Sequence, residues 1–328
     1  MCRMEPHRPE RRGPNPPRSE RMVISYGSTM TSAADTITIR FRGVRGSHPM
    51  PGPTTLKYGG NTSCQEIRVG GRLLIFDAGT GVISLGLDLM QAGGPKEMAV
   101  FFSHHHHDHI GGLLYFKPAY RPDTTMHIYG PADSPDCDIL QALERVSCPT
   151  AHPVQFTRMG MNYTTQVVTT GDAVVWRRGA AAPRMLEQGE TPENGDVVVR
   201  VLKNSLHPLE GVLNFRVEYK GKAYVYATDV EGNEKEGDEE LAAFARGADM
   251  LAHDGQYSSE EYNAFRKGWG HSTLAMAIKT ARMAEVKRLA IVHHDPGSAD
   301  DQLDAMEREG KKEFPNLFFA REGQEVAL

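Results

Sequence analysis

Two periodicities of apolar residues alternate along this chain. Residues 36–42 alternate apolar and polar, as a half-buried strand does, and 65–69 with 72–76 read as a hairpin turning at Gly70-Gly71. Residues 98–102, Met-Ala-Val-Phe-Phe, are apolar throughout, which suits a strand buried on both faces. Helices are expected over 82–91 and 133–146, the latter from the spacing of Ile139, Leu140, Leu143 and Val146. Residues 212–219 and 223–227 form a strand pair about Lys220-Gly221-Lys222. The last third alternates a helix at 239–246, a strand at 249–253, a capping box from Ser258 to Glu261, a helix with Leu274, Ile278 and Ala281 on one face, and a strand at 288–293. Residues 149–196 are less regular; they are expected to shape a pocket or an oligomer contact, such as a homodimer. No internal repeat is evident.

The strand at 98–102 runs into Ser-His-His-His-His-Asp-His-Ile-Gly-Gly, in which His104, His106, Asp108 and His109 fit the pattern His-x-His-x-Asp-His. In extended chain, positions two apart point the same way, so His104 and His106 can grip one ion. The turn at Ile110-Gly111-Gly112 lets Asp108 and His109 face a second. Imidazoles and carboxylates without thiolates favour zinc, manganese or iron in an open site. A cloning tag would be terminal; this run is internal, follows a core strand and is interrupted by a carboxylate. His105 and His107 alternate with the ligands and are expected to point elsewhere.

With those motifs in order from about residue 37 onward, the chain resembles the metallo-β-lactamase superfamily. The resemblance implies an α/β class, αββα sandwich fold with the metal site at one edge of the two sheets. It also implies that Asp77, in Phe-Asp-Ala-Gly-Thr-Gly, supports the metal-bearing loop. His207, Asp229 and His293 resemble the remaining ligands. One ion would then be held by His104, His106 and His207, another by Asp108, His109 and His293, with Asp229 shared. His294 and the His253-Asp254 pair remain alternatives near the C-terminal ligand. Relatives that reduce oxygen carry Glu where this chain has His106, and those that open β-lactams usually lack a bridging Asp. A pair of divalent ions, zinc first, would generate hydroxide from water near neutral pH and neutralise charge formed on attack.

Trp269-Gly270-His271-Ser272-Thr273 resembles the His-Ser-Thr motif of the phosphodiesterase branch, which includes RNase Z. The resemblance gives His271 a catalytic role at the phosphate, beside Asp108 as ligand and proton acceptor. A good N-cap at Ser272 or Thr273 would place His271 where a helix favours anions. The Gly/Pro-rich loop spanning 42–49 and 58–64 also resembles this branch, and Arg45, His48 and Asn61 are candidate anion contacts. RNase Z grips tRNA with an arm inserted between the third-motif histidine and the bridging aspartate, and the short stretch between His207 and Asp229 has no room for one. A small nucleotide or cyclic phosphodiester is therefore the expected substrate, and a long nucleic acid is not an expected partner. Thioester hydrolysis of the hydroxyacylglutathione type and a non-catalytic nucleotide- or metal-binding module are the alternatives.

Composition sets outer bounds. The 328 residues, 39% of them hydrophobic, suffice for one large core, and the net charge of −5 supplies no general basic surface. Four cysteines, Cys2, Cys64, Cys137 and Cys148, form no CxxC pair, so a reducing, cytoplasmic compartment is expected. Residues 1–35, rich in Arg and Pro, read as a flexible tail before a domain at 36–328. No apolar run is long enough to span a membrane, so no membrane partner is expected.

Overall fold

The alternating segments pair into two sheets packed face to face. The computed structural model describes residues 36–134, 137–208, 211–233 and 237–328; the Arg/Pro-rich segment 1–35 lies outside the described residues. The first sheet has the order Glu325–Ala327, Ile37–Gly43, Cys64–Val69, Arg72–Phe76, Glu97–Phe101, Thr125–Gly130, Asn162–Val167. The second has the order Arg184–Met185, Ala173–Trp176, Val197–Asn204, Val212–Tyr219, Lys222–Ala227, Met250–Asp254, Leu289–Val292, Leu317–Phe319. Each sheet begins antiparallel and turns parallel where helices return the chain, from Arg72–Phe76 onward in the first and from Lys222–Ala227 onward in the second.

Strand alternation sorts the apolar residues into three layers. Between the sheets lie Ile39, Phe76, Phe101, Val199, Phe215, Tyr226, Met250 and Val292. Outside the first sheet, Leu73, Ile75, Met98 and Val100 pack on helices Val82–Ala92 and Ile139–Val146. Outside the second, Val225, Leu251 and Ile291 meet helices Glu239–Phe244, Leu274–Met283 and Asp300–Glu313. This is the αββα sandwich. The apolar run before the histidines is buried on both faces because it sits between parallel neighbours and serves two of these layers at once.

Three elements differ from the sequence reading. The helix expected over 133–146 begins at Ile139, since the Asp138 carboxylate accepts from Gln141 N at 3.0 Å and Gln141 Oε1 from Asp138 N at 2.9 Å, closing a capping box. Residues 149–196 contain strands Asn162–Val167, Ala173–Trp176 and Arg184–Met185. The first of these is largely exposed along a sheet edge, so Asn-Tyr-Thr-Thr-Gln-Val needs no apolar alternation. The capping box at Ser258 forms, yet it opens only a single turn, followed by a π-helical turn over Tyr262–Arg266. No helix among the described residues is long and apolar enough to cross a membrane.

Candidate metal centre

Every candidate ligand lies just beyond the end of a strand, in a loop or, for Asp108 and His109, in the single helical turn His107–Ile110, and these segments from both sheets meet at one edge. His104 to His109 follow Glu97–Phe101, His207 follows Val197–Asn204, Asp229 follows Lys222–Ala227 and His293 follows Leu289–Val292. Turning so sharply requires unusual backbone: Asp77, Asp229 and His293 have φ of 57°, 56° and 60°. Non-glycine residues in that region cluster at sites where surrounding contacts over-determine them. Here the floor is aromatic, with Phe76 within 5.7 Å, centroid to centroid, of Phe101, Phe215 and Tyr226.

The donor atoms of the expected ligands converge in two groups, one of His104, His106, His207 and Asp229, the other of Asp108, His109 and His293, and a third set of Asp229, His271 and His293 overlaps both. Asp229 reaches both: its Oδ1 is 3.7 Å from His104 Nε2, and its Oδ2 lies 3.2 Å from His109 Nε2 and 3.3 Å from His293 Nε2. Asp108 Oδ2 closes the second group at 3.2 Å from His109 Nε2 and 3.3 Å from His293 Nε2.

The opposite ring nitrogens are committed elsewhere, which fixes which lone pair faces inward. His109 Nδ1–H donates to Asp77 at 2.8 Å, His293 Nδ1–H to Gln256 at 2.9 Å and His207 Nδ1–H to the Gly270 carbonyl at 3.1 Å. His104 Nδ1 contacts Ser103 Oγ at 3.0 Å, and that hydroxyl donates to Asp77 at 2.8 Å. Asp77 also accepts from Ser103 N and the Tyr226 hydroxyl, so this carboxylate holds the histidine loop and stands outside both donor groups.

A divalent ion fits what remains. His104 Nε2 is buried without a hydrogen-bond partner, while His106 Nδ1 and His207 Nε2 face each other at 3.3 Å and His109 Nε2 and His293 Nε2 at 3.4 Å. Convergent imidazole lone pairs with carboxylates beside them match the nitrogen and oxygen donors of an open zinc-type site. Burial pushes His104, His106 and His207 below the usual histidine range, leaving them neutral as ligands must be. Burial opposes ionisation of Asp108 and Asp229, but the adjoining His109 and His293 outweigh it and hold both carboxyls well below their usual range.

His271 stands beside this cluster. Thr273 caps helix Leu274–Met283, accepting from Met276 N, and places His271 two residues before the cap. Its ring stacks on His293 with centroids 4.9 Å apart, and Nδ1 lies 2.8 Å from Asp254 and 3.9 Å from Asp229. Burial opposes a charged ring, but Asp254 outweighs it and pushes the imidazole up to about 9.

The alternatives near the C-terminus resolve by strand alternation. Asp254 shares the site-facing side of its strand with Ala252, whereas His253 is fully buried on the other side and spends Nδ1–H on the Asp254 carbonyl. His294 donates to the Ala320 carbonyl at 2.8 Å and stacks on Phe319 at 5.4 Å; it is a core residue. His105 is half-buried and His107 exposed, and neither belongs to a donor group.

The glycine-rich loop contributes backbone. Ser47 N–H donates to Asp108 at 2.7 Å. Arg45, expected to meet an anion, is fully buried and donates to the carbonyls of Gly59, Asp295 and Ser298. Asn61 donates to Glu322 at 2.9 Å, while His48 is exposed, with Nδ1 at 3.2 Å from the Pro49 carbonyl. Sequence reasoning missed Ser47 N, Ser103, Tyr226 and Gln256. Only Ser103, adjoining the histidine run, carried a local signal.

With this geometry in hand, kinship can be placed. A family model described as "Beta-lactamase superfamily domain" matches residues 72–294. The chain belongs to the metallo-β-lactamase superfamily. A relative named Ribonuclease Z from Gemmatimonas aurantiaca is 26% identical over 326 residues, spanning 89% of this chain and 96% of the relative. Among solved structures, the metallo-β-lactamase fold protein YhfI from Bacillus subtilis aligns with a TM-score of 0.59 at 19% identity, covering 90% of this chain and all of that one. Human tRNase Z, short form, aligns with the same score and identity over 88% of this chain and 98% of its own. These superfamily structures share the fold.

Proposed function

We propose that this metal-dependent hydrolase is a phosphodiesterase holding two divalent ions, zinc first, and acting on a small nucleotide or cyclic phosphodiester. The observation that carries the reading is His271, held by Asp254 beside the two groups of expected ligands; it shares a donor set only with Asp229 and His293, and neither of those two groups needs it. Two ions bound there would supply Lewis acidity, easing ionisation of a water and offsetting charge on the phosphorane. Asp229 orients both groups. Asp108, fixed by the Ser47 N–H, is placed to accept the proton released on attack. With Nδ1 committed to Asp254, His271 presents Nε2 to the leaving oxygen as donor. A thioester expels a thiolate, a far more stable anion than an alkoxide, and has little use for that proton.

The full-length likeness to Ribonuclease Z supports the reaction type and adds RNA ends to the substrates worth testing. Against a long RNA stands the short hairpin of Val212–Tyr219 and Lys222–Ala227, which fills most of the interval between His207 and Asp229. Cyclic nucleotides, dinucleotides, short RNA, a chromogenic phosphodiester and a thioester should be offered to protein loaded separately with zinc and manganese. His271→Ala is expected to cut turnover of the unactivated phosphodiesters, which expel an alkoxide, by roughly 10²- to 10⁴-fold while metal content is retained. Activity on the thioester alone would overturn the proposal, and less than one metal per chain with no turnover would favour a binding module.

A further inference from the structure

Two residues past Asp229, Glu231 collects three donors from the segment leading to His271: the Tyr262 hydroxyl, Gly268 N–H and Gly270 N–H, each at 2.7 Å. Gly268 and Gly270 take φ of 84° and 88°, so the chain turns sharply on either side of Trp269 and leaves that ring 51% exposed. The Gly270 carbonyl accepts from His207 Nδ1–H, and a Cβ at position 270 would stand 2.4 Å from that nitrogen. The segment is therefore seated directly on a candidate metal ligand. Just before it, Phe265 is 60% exposed. The Arg266 guanidinium lies 4.5 Å from the Trp269 ring centroid, 4.8 Å from Phe265 and 5.2 Å from Tyr257. Lys267 and Gly268 line a cleft of about 730 Å³ that His207 and Glu231 also line.

Isolated apolar residues at a surface are ordinary, but two large exposed rings packed on one guanidinium, in the segment whose Lys267 and Gly268 line this cleft, are an organised surface. Resting on the phosphodiesterase reading, we propose that Trp269 and Phe265, backed by Arg266, form a stacking platform for an unpaired nucleobase attached to the scissile phosphate. Every base offers a π-face, so stacking of this kind is tolerant of base identity, and the cations Arg266 and Lys267 suit an anionic nucleotide. The platform accordingly selects nucleotides over simple phosphate esters without selecting a sequence.

Fluorescence tests it, since the chain has two tryptophans and Trp176 is only 4% exposed. Zinc-loaded protein should be titrated with adenosine 5′-monophosphate and, as the base-free control, ribose 5-phosphate. Quenching by the nucleotide alone, abolished in Trp269→Leu, is expected. In parallel, Trp269→Leu should lower the ratio of kcat/KM for thymidine 5′-(p-nitrophenyl phosphate) to that for methyl p-nitrophenyl phosphate by roughly tenfold. Phe265→Ala should lower it in the same direction. Equal quenching by both ligands, no quenching, or an unchanged ratio overturns the platform. Failure of the zinc- and manganese-loaded wild type to hydrolyse either ester, with selective quenching intact, instead overturns the phosphodiesterase reading and leaves the platform standing.

Discussion

Adding one methyl group at Gly46 should disable one of the two ion sites proposed above. A Cβ built there would stand 2.3 Å from both Cε1 and Nδ1 of His293, where ordinary contact begins at 3.4 Å. The ring, or the loop carrying Gly46, must therefore give by about 1.1 Å. Gly46 N is tied to the His294 carbonyl at 3.0 Å and His294 N to the Val44 carbonyl at 2.8 Å, so the backbone has little room to retreat. His293 is the softer partner, yet its Nδ1 is held by Gln256 and its backbone is in the left-handed region. Metal–ligand distances tolerate only about ±0.2 Å. Misplacement by about 1 Å costs on the order of 10²-fold in activity. Gly46→Ala is thus expected to bind about one ion per chain after dialysis, against about two for the wild type, and to lose roughly 10²-fold in turnover, tracking His293→Ala. Metal content by inductively coupled plasma mass spectrometry and steady-state kinetics read the two effects. Wild-type loading with turnover within about twofold would refute the steric argument.

Asp254→Asn removes the carboxylate that orients and charges His271, so turnover should fall roughly 10- to 100-fold with metal content unchanged. The alkaline limb of the pH–rate profile should move to lower pH, and an unmoved limb would show that Asp254 acts only through packing. In metal-free protein the folded-state pKa of His271 is raised from 6.5 to about 9. Its contribution, on the order of 3 kcal/mol, is then fully present below about pH 6.5 and lost as pH rises through about 9. Urea unfolding in chelator at pH 6 and 9.5 should show the advantage of wild type over His271→Ala shrinking at the higher pH; a constant or growing gap would contradict this. Tyr226→Phe leaves the buried Asp77 short of one donor and should cost about 1–3 kcal/mol in stability, measured by the same denaturation, with a smaller effect on turnover.

Periodicity and spacing made much of the architecture legible. The hairpin at Gly70-Gly71, the doubly buried strand before the histidines and the capped helix after His271 depend on local chemistry, and the structure contains all three. The ligand loop was legible because its four donors are adjacent in the chain. The residues that aim those donors were not. Gln256 reaches His293 across 37 positions, and Tyr226 reaches Asp77 across 149. Arg45 shows the same limit from the other side: a loop arginine is consistent with anion binding until its partners, 250 positions away at Asp295 and 253 at Ser298, are known.

The pairing of Thr38 with Ala327 means that one edge of the inner strand Ile37–Gly43 waits for residues made almost 300 positions later. During synthesis from the N-terminus, the first sheet emerges well before the segment that seals its edge, and the histidine loop long before His293. A nascent chain therefore exposes an open strand edge beside a cluster of imidazoles. Such non-local closure makes for slow folding, and the ribosome-bound intermediate is the stage at which this protein is most exposed to aggregation and to capture of the wrong metal.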